Sequence, residues 1–453
     1  MLVQSLTDKN WPEIDIKVEL YVLPAVLTVL FLLPHLPFLN NGYVDLEKYC
    51  VQAGLEIARN GFNANLTDYF STVFNPVFSV LLLAGSYKIF GESPVISRLT
   101  VSILALAFSL FLYYYLRKKK GATFAFITTL LVVVNPMFIV YSQYVYSDVP
   151  FMVFVSVALL LLLFSASRKE NVTSSVMLGV SLATKYVAAP LFIVGFIFSL
   201  VKSKIMEIFS KSKLLSFVWF NTWYFGLALL LSIPIILLVF HYQTSIFPSD
   251  SESMLSLGVT MYIPRLFACL LWLGLFIGPF CLIFLFDLWL KAGVKKFLLL
   301  LTGAALLTLA VSYFYPVSSL HVQAEVFGEM NLGWVESKVP SWALSVAFFL
   351  IILMAELFIA GLAFDLKRYG IEKTRELFIW ILLPILLFSF TRVANRYLLS
   401  LLVPLSLYMT QVSGRIYSER KTRLAPVVLT LHALIFLAVG FYSNYYLHQR
   451  GLA

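Results

Sequence analysis

Charge is what this sequence has least of. Of its 453 residues only 12% are Asp, Glu, Lys or Arg, against about 25% in a soluble domain. Charge this scarce cannot cover a water-exposed surface, which excludes a soluble enzyme, a disordered chain and a coiled coil. Cysteine is scarce too. Cys50, Cys269 and Cys281 are three widely spaced residues, so neither a disulfide framework nor a metal-binding cysteine motif follows. The net charge of +10 is not accompanied by a zinc-finger spacing, an RNA-binding motif or a basic helix, and nucleic acid is not an expected partner. No repeat marks a transporter built from inverted halves.

What is abundant is apolar. Hydrophobic residues make up 60% and aromatic residues 16%, and the mean hydropathy is +0.90. Thirteen apolar runs of membrane length lie at about 20–39, 95–116, 122–142, 150–167, 172–187, 188–201, 215–240, 266–290, 297–316, 341–364, 376–390, 397–413 and 424–446. Each approaches the roughly 17–25 residues that cross a bilayer. The first run is too long for a signal-peptide core and lacks a basic start and cleavage site, so it is expected to stay as a span.

Loop charge sets the topology. With a cytoplasmic N-terminus and two crossings between Val172 and Val201, the later cytoplasmic loops hold fifteen Lys and Arg and the outer ones hold five: Arg265, Lys338, Arg392, Arg396 and Arg450. A single crossing would invert that ratio against the positive-inside rule. The fold class expected is thus an all-α polytopic membrane protein, one membrane domain over 1–453 with about thirteen transmembrane helices. Residues 1–19 are expected in the cytoplasm, 40–94 as a large outer first loop, 95–201 and 202–453 as two series of spans, and 241–264 and 317–340 as further outer loops. Within the first outer loop, Val44 to Arg59 is amphipathic and Pro76 to Phe90 is apolar but short; both are expected to be interfacial helices.

Several residues stand out as carriers of chemistry. Asp45 and Tyr49 are four apart and would share a helix face. A carboxylate at the bilayer edge gains proton affinity and suits a general base, the alternative being a solvated acid. Asp148, before Pro150, opens a helix and reads by itself as an N-terminal cap. Lys185 is the deepest basic residue, which marks either an anion partner or a side chain snorkelling outward. Arg392 and Arg396 stand four apart on the outer side, where the topology rule disfavours them. Their guanidiniums would bind phosphate or anchor lipid headgroups. Arg98 reads as an interfacial anchor. Glu356 and His432 read as paired between helices. His241, His321 and Glu325 give a weak possibility of a divalent metal with the first loop's acids, and Asn65–Thr67 is a glycosylation sequon.

Together these residues resemble the GT-C membrane glycosyltransferases, in the branch of the protein O-mannosyltransferases and the lipid A aminoarabinose transferases. The resemblance spans roughly residues 20 to 200 and returns at 391 to 404. Asp45 to Tyr49 looks like the acidic motif of the first outer loop, with Glu47 as a possible second acid. Asn75-Pro76-Val77, Phe90-Gly91 and Arg98-Leu99 follow the next motif, Asn75 replacing a Lys or His. Asp148, Gly179 to Lys185 and Arg396-Tyr397 with Pro404 match later ones.

The resemblance implies a sugar donor on polyprenyl phosphate, among the membrane lipids, and a lipid, glycan or protein acceptor on the outer face of what is expected to be a prokaryotic plasma membrane. Asp45 would be the base of an inverting transfer and Asp148 would orient acceptor or base. Arg396, Arg392 and Lys185 would hold the donor phosphate, and Tyr49, Glu47, Asn75 and Tyr397 would contact substrate. No cofactor beyond a possible divalent metal is implied. The rival reading is a lipid-linked sugar flippase or transporter. Its paired charges should lie near the midplane, whereas here they are expected on one face.

Overall fold

The computed structural model describes residues 15–43, 47–73, 77–165, 167–202, 211–242, 262–314, 340–369, 371–389, 395–420 and 424–451. Among these there is no strand. Six helical stretches are long and apolar enough to cross a membrane: Val18–Phe38, Pro94–Lys120, Leu214–Pro234, Ala268–Ala310, Ser341–Lys367 and Leu424–Tyr445. Four shorter apolar helices, Phe78–Phe90, Ala122–Val133, Asp148–Phe164 and Ala189–Val201, accompany them. The protein is therefore a multi-pass helical membrane protein. The chain divides into two compact units, one of residues 1–34, 109–140 and 257–447, the other of residues 35–108, 141–256 and 448–453.

The first-named unit contains α1 (Leu23–Leu32), which continues a π-helical turn at Val18–Val22. Glu19 in that turn accepts from Arg117 Nε at 2.9 Å, and its carbonyl accepts from the Tyr113 hydroxyl at 2.6 Å. The expected span 122–142 is a broken pair of helices in the structure. After α6 (Ala122–Val133) the chain restarts at Pro136, whose missing N–H suits a first helical turn, and the Asn135 Oδ1 accepts from Met137 N at 3.0 Å. The expected span 266–290 is broken by a 3-10 turn at Gly278–Phe280 between the helix Tyr262–Ile277 and the long helix Cys281–Phe314, which continues into the expected span 297–316 and is kinked at Gly293, where φ is +71°. A side chain there would meet no neighbour, so the glycine serves the backbone conformation.

A second, larger charge network of this unit joins Asp287, Lys291, Asp365 and Arg415. Lys291 is ion-paired to Asp287 and donates to Asp365 at 2.5 Å. Arg415 donates to the same two carboxylates at 2.8 and 3.1 Å, and the Tyr408 hydroxyl donates to Asp365 at 2.7 Å. Two acids and two bases neutralise each other and tie together the helices Cys281–Phe314, Ser341–Tyr369 and Leu402–Arg420. In an apolar surround such charges persist only when paired.

The other unit holds α2 (Glu47–Asn60), α3 (Thr67–Val73), α4 (Phe78–Phe90) and the start of α5 (Pro94–Lys120). It also holds α7's last residue, Tyr141 (α7, Pro136–Tyr141), followed by α8 (Asp148–Phe164), α9 (Arg168–Thr184), α10 (Ala189–Lys202) and α11 (Lys211–Tyr242). Helices α2 and α4 form where the amphipathic and short apolar stretches of the first outer loop were expected. Their apolar faces share a cluster with α3 that includes Cys50, Val51, Ala53, Leu66, Tyr69, Phe70, Val80 and Leu83. Gly54 lies against α4, 3.0 Å from the Tyr87 ring and 3.1 Å from Leu83 for any Cβ placed there. The run 172–201 is two helices, α9 and α10, separated by the extended residue Lys185 and a 3-10 turn at Tyr186–Ala188.

The α9 face toward α8 and α11 is built of small and hydroxyl residues. Ser174 Oγ lies 2.6 Å from both the Ala158 carbonyl and the Tyr224 hydroxyl, and Ser175 Oγ donates to the Tyr224 carbonyl at 2.5 Å. Gly179 meets the backbone of Ala228, leaving no space for a Cβ. Where lipid offers no hydrophobic drive between helices, close approach and interhelical hydrogen bonds supply the association.

One prediction concerns the charge network. Replacing Asp365 by Ala removes the more buried of the network's two carboxylates, which both Lys291 and Arg415 contact. Breaking such a pair costs about 3–5 kcal/mol, so the thermal-unfolding midpoint in detergent should fall clearly below wild type. An unchanged midpoint would show that the network does not hold the three helices.

Candidate active site

The N-terminal turn of α5 begins with Pro94, and its fifth residue is Arg98, which is completely buried. This corrects its reading as an interfacial anchor. Its two terminal nitrogens each donate to one oxygen of the equally buried Glu47, both at 3.1 Å. The same guanidinium donates to the carbonyls of Gly42 at 2.7 Å, Gln143 at 2.9 Å and Asn41 at 3.4 Å. Glu47 Oε1 accepts in addition from the backbone N–H of Val145 at 2.8 Å. One planar fork thus fastens the chain before α2, the first turn of α2 and the turn that leads into α8. Glu47, expected to contact substrate, spends both oxygens within the fold.

Neighbouring contacts support the same arrangement. Ser97 Oγ lies 2.8 Å from the Tyr43 hydroxyl and 2.7 Å from that of Tyr87. Burial raises the Tyr43 phenol above its ordinary value, with the Ser97 hydrogen bond acting the other way, so it stays protonated. His35 Nε2 lies 2.6 Å from Ser142 Oγ, and Ser102 donates to the Ser142 carbonyl at 2.9 Å.

That fastened turn ends at Asp148, the first residue of α8. Ser147 is the N-cap and makes no side-chain cap bond. The Asp148 carboxylate is therefore not spent as the expected cap. It is buried, as is Lys185, and the two form an ion pair. Lys185 reaches it from the break between α9 and α10, where the residue is extended, at φ −157° and ψ 130°. Lys185 does not snorkel. The positive end of α8 adds a fixed field that favours an anion at Asp148. Two residues singled out separately in the sequence, 37 positions apart, meet as one buried pair.

The remaining candidates are placed less fully. Asp45, Asn75 and Arg392 lie outside the described residues. Tyr49 is half-buried on α2. Arg396 and Tyr397 stand on the 3-10 turn Asn395–Leu401 of the other unit, and their side chains are not among those described. His321 and Glu325 are likewise outside the described residues, among which no group of three or more His, Cys, Asp and Glu could hold a metal. The Arg98 hub escaped the sequence reading, although an arginine on the side where the topology rule disfavours it was the available signal.

Lysine cannot reproduce a bidentate fork with further carbonyl contacts. In Arg98→Lys, hydrogen exchange should therefore rise in peptides covering 41–47 and 141–147 while those of α9 and α11 keep their protection. Equal protection in both regions would remove the hub from the account.

The comparisons with known proteins fit this geometry. Residues 75–236, which contain Asp148 and Lys185, match the family model of the dolichyl-phosphate-mannose-protein mannosyltransferases. No curated protein sequence matches the chain. Among solved structures, the crystal structure of ArnT from Cupriavidus metallidurans bound to undecaprenyl phosphate superposes with a TM-score of 0.53 at 15% identity, covering 96% of this chain and 76% of that one. The same protein in the apo state gives a TM-score of 0.44 at 18% identity, covering 88% and 77%. Residues 75–236 are thus similar to the dolichyl-phosphate-mannose-protein mannosyltransferases, and the chain shares the fold of the undecaprenyl-phosphate-bound ArnT structure.

Proposed function

We propose that the protein transfers a sugar from a polyprenyl-phosphate donor to an acceptor hydroxyl at the outer membrane face, with inversion at the anomeric carbon. The observation that carries the reading is the buried Asp148–Lys185 pair within the segment matched to the mannosyltransferase family. The fold is shared with a protein solved with undecaprenyl phosphate, which supports a lipid-phosphate donor.

In this mechanism Asp45 removes the proton of the acceptor hydroxyl as its oxygen bonds to the anomeric carbon. The bond from that carbon to the phosphate oxygen breaks, and the electron pair leaves with polyprenyl phosphate. The support for Asp45 is its sequence position between Gly42 and Glu47, both bound by Arg98. Charge grows on the departing phosphate, so a fixed cation stabilises the transition state more than the ground state. Lys185 supplies that cation. An ammonium has three N–H donors, so it can hold Asp148 and a phosphate oxygen together. Asp148 in turn orients the ammonium and keeps its charge supported in a buried place. Arg392 and Arg396 are further candidates for phosphate contact, Tyr49, Asn75 and Tyr397 for substrate contact, and Glu47 acts through Arg98.

The test uses purified protein in detergent, a panel of radiolabelled polyprenyl-phosphate sugars and a membrane extract as acceptor source. Wild type should release polyprenyl phosphate from one donor. Asp45→Asn should abolish release with folding intact. Lys185→Met should lower kcat by roughly 10²–10³, the cost of removing one such electrostatic group. Release unaffected by Asp45→Asn would remove the base assignment. No release from any donor, with lipid-linked sugar moving across liposome membranes instead, would favour a flippase.

A further inference from the structure

Helix α2 presents two different faces. Cys50, Val51 and Gly54 turn inward to the apolar cluster and α4. Tyr49, Gln52, Glu56 and Arg59 follow one another at spacings of three, four and three, a single stripe on a helix, with the buried Ala53 beside them. With Leu55 of α2, Asn65 from the segment before α3, and Asp68 and Tyr69 of α3, this stripe lines an open groove of about 310 Å³. That is at the lower end of the roughly 300–1,000 Å³ typical of small-ligand sites. The groove lies upstream of the residues matched to the family, which begin at 75.

The geometry points to a saccharide-binding groove that holds a sugar of the acceptor. A sugar hydroxyl is both donor and acceptor, so it needs partners of both kinds. Glu56 and Asp68 accept, Arg59 donates, and Gln52 does both. Asn65 spends its Oδ1 on the Thr67 N–H at 3.1 Å, so its amide can offer a ligand the NH2 group. Glu56 Oε2 already accepts from Asn60 at 2.7 Å, which orients the carboxylate. The half-exposed ring of Tyr49 supplies flat apolar surface suited to the C–H face of a pyranose. A peptide would ask for apolar side-chain pockets or a free strand edge, and the groove offers only Leu55 and Ala53 of that kind.

A second observation connects the groove to the pair described above. Tyr69, its buried floor, belongs to the apolar cluster against which Tyr186, the residue following Lys185, is packed. Burial raises the Tyr69 phenol well above its ordinary value, so it remains a neutral hydrogen-bonding group. Tyr146 and Tyr186 belong to the same apolar cluster as Tyr69. The floor of the groove and the residues flanking Asp148 and Lys185 are thus packed into one apolar cluster. Its role as acceptor rests on the transferase reading; its ligand chemistry rests on the groove alone.

The test is saturation-transfer NMR on the full-length protein in detergent, with methyl α-mannopyranoside, methyl α-glucopyranoside and N-acetylglucosamine as separate probes and a Ser/Thr peptide as control. At least one saccharide should receive saturation. Gln52→Ala combined with Asp68→Ala should weaken it by about tenfold or more, as for the loss of two hydrogen bonds. Both replaced side chains are exposed, so the unfolding midpoint should not move. Saturation of no saccharide, saturation that survives the double variant, or saturation of the peptide alone would each overturn the proposal. Sugar binding that maps to the groove in a protein that turns over no donor would refute the transferase reading and leave the groove standing. Turnover without sugar binding would do the reverse.

Discussion

The bidentate pairing of Arg98 with Glu47 is the constraint from which the candidate site follows. Both side chains are fully buried, and a buried ion pair is favourable only when its geometry and remaining hydrogen bonds are nearly complete. Here they are. The guanidinium also serves three backbone carbonyls, and the carboxylate takes a backbone N–H from the turn that precedes α8. Three segments distant in sequence are thereby held at one point, and two of them lead directly to the acids proposed to do chemistry. The pair itself touches no reacting atom in this account. It acts by fixing Gly42 and Glu47 on one side and the turn before Asp148 on the other.

The same economy of charge runs through the rest of the chain. Only 12% of the residues are charged, and several of the buried ones are committed to partners. Lys185 is bound to Asp148, and Lys291 and Arg415 are shared between Asp287 and Asp365. Between helices, hydroxyls and glycines replace charge, as where Ser174, Ser175 and Gly179 bring α9 onto α11. These devices suit an apolar solvent, in which an unpaired polar group is costly and a Leu gains little by being covered.

Much of this was legible in the sequence because the bilayer imposes so strong a pattern. Over their described residues the thirteen apolar runs fall on helices or broken helices, six stretches being long and apolar enough to span a membrane, and α2 and α4 begin within a few residues of the two helices expected between 44 and 90. The breaks were harder to read. Pro136 signals the one after α6, but the extended conformation of Lys185 arises from what the residue reaches, which local sequence does not contain. Pairings were the least legible. Asp148 looked like a cap and Arg98 like an anchor because each was judged with its neighbours in sequence, whereas their partners lie 37 and 51 positions away. Of the named site residues, Asp148 and Lys185 are brought together, Glu47 is turned to structural use, and Asp45, Asn75 and Arg392 fall outside what the structure describes.

The central claim is that Lys185, steadied by Asp148, receives a lipid phosphate. Native mass spectrometry of the protein released from nanodiscs containing undecaprenyl phosphate or undecaprenol tests it without requiring turnover or a known acceptor. The account predicts that wild type retains undecaprenyl phosphate in preference to the alcohol, and that Lys185→Met loses this preference while remaining folded. Equal retention of the two lipids by wild type, or a preference that survives Lys185→Met, would contradict it.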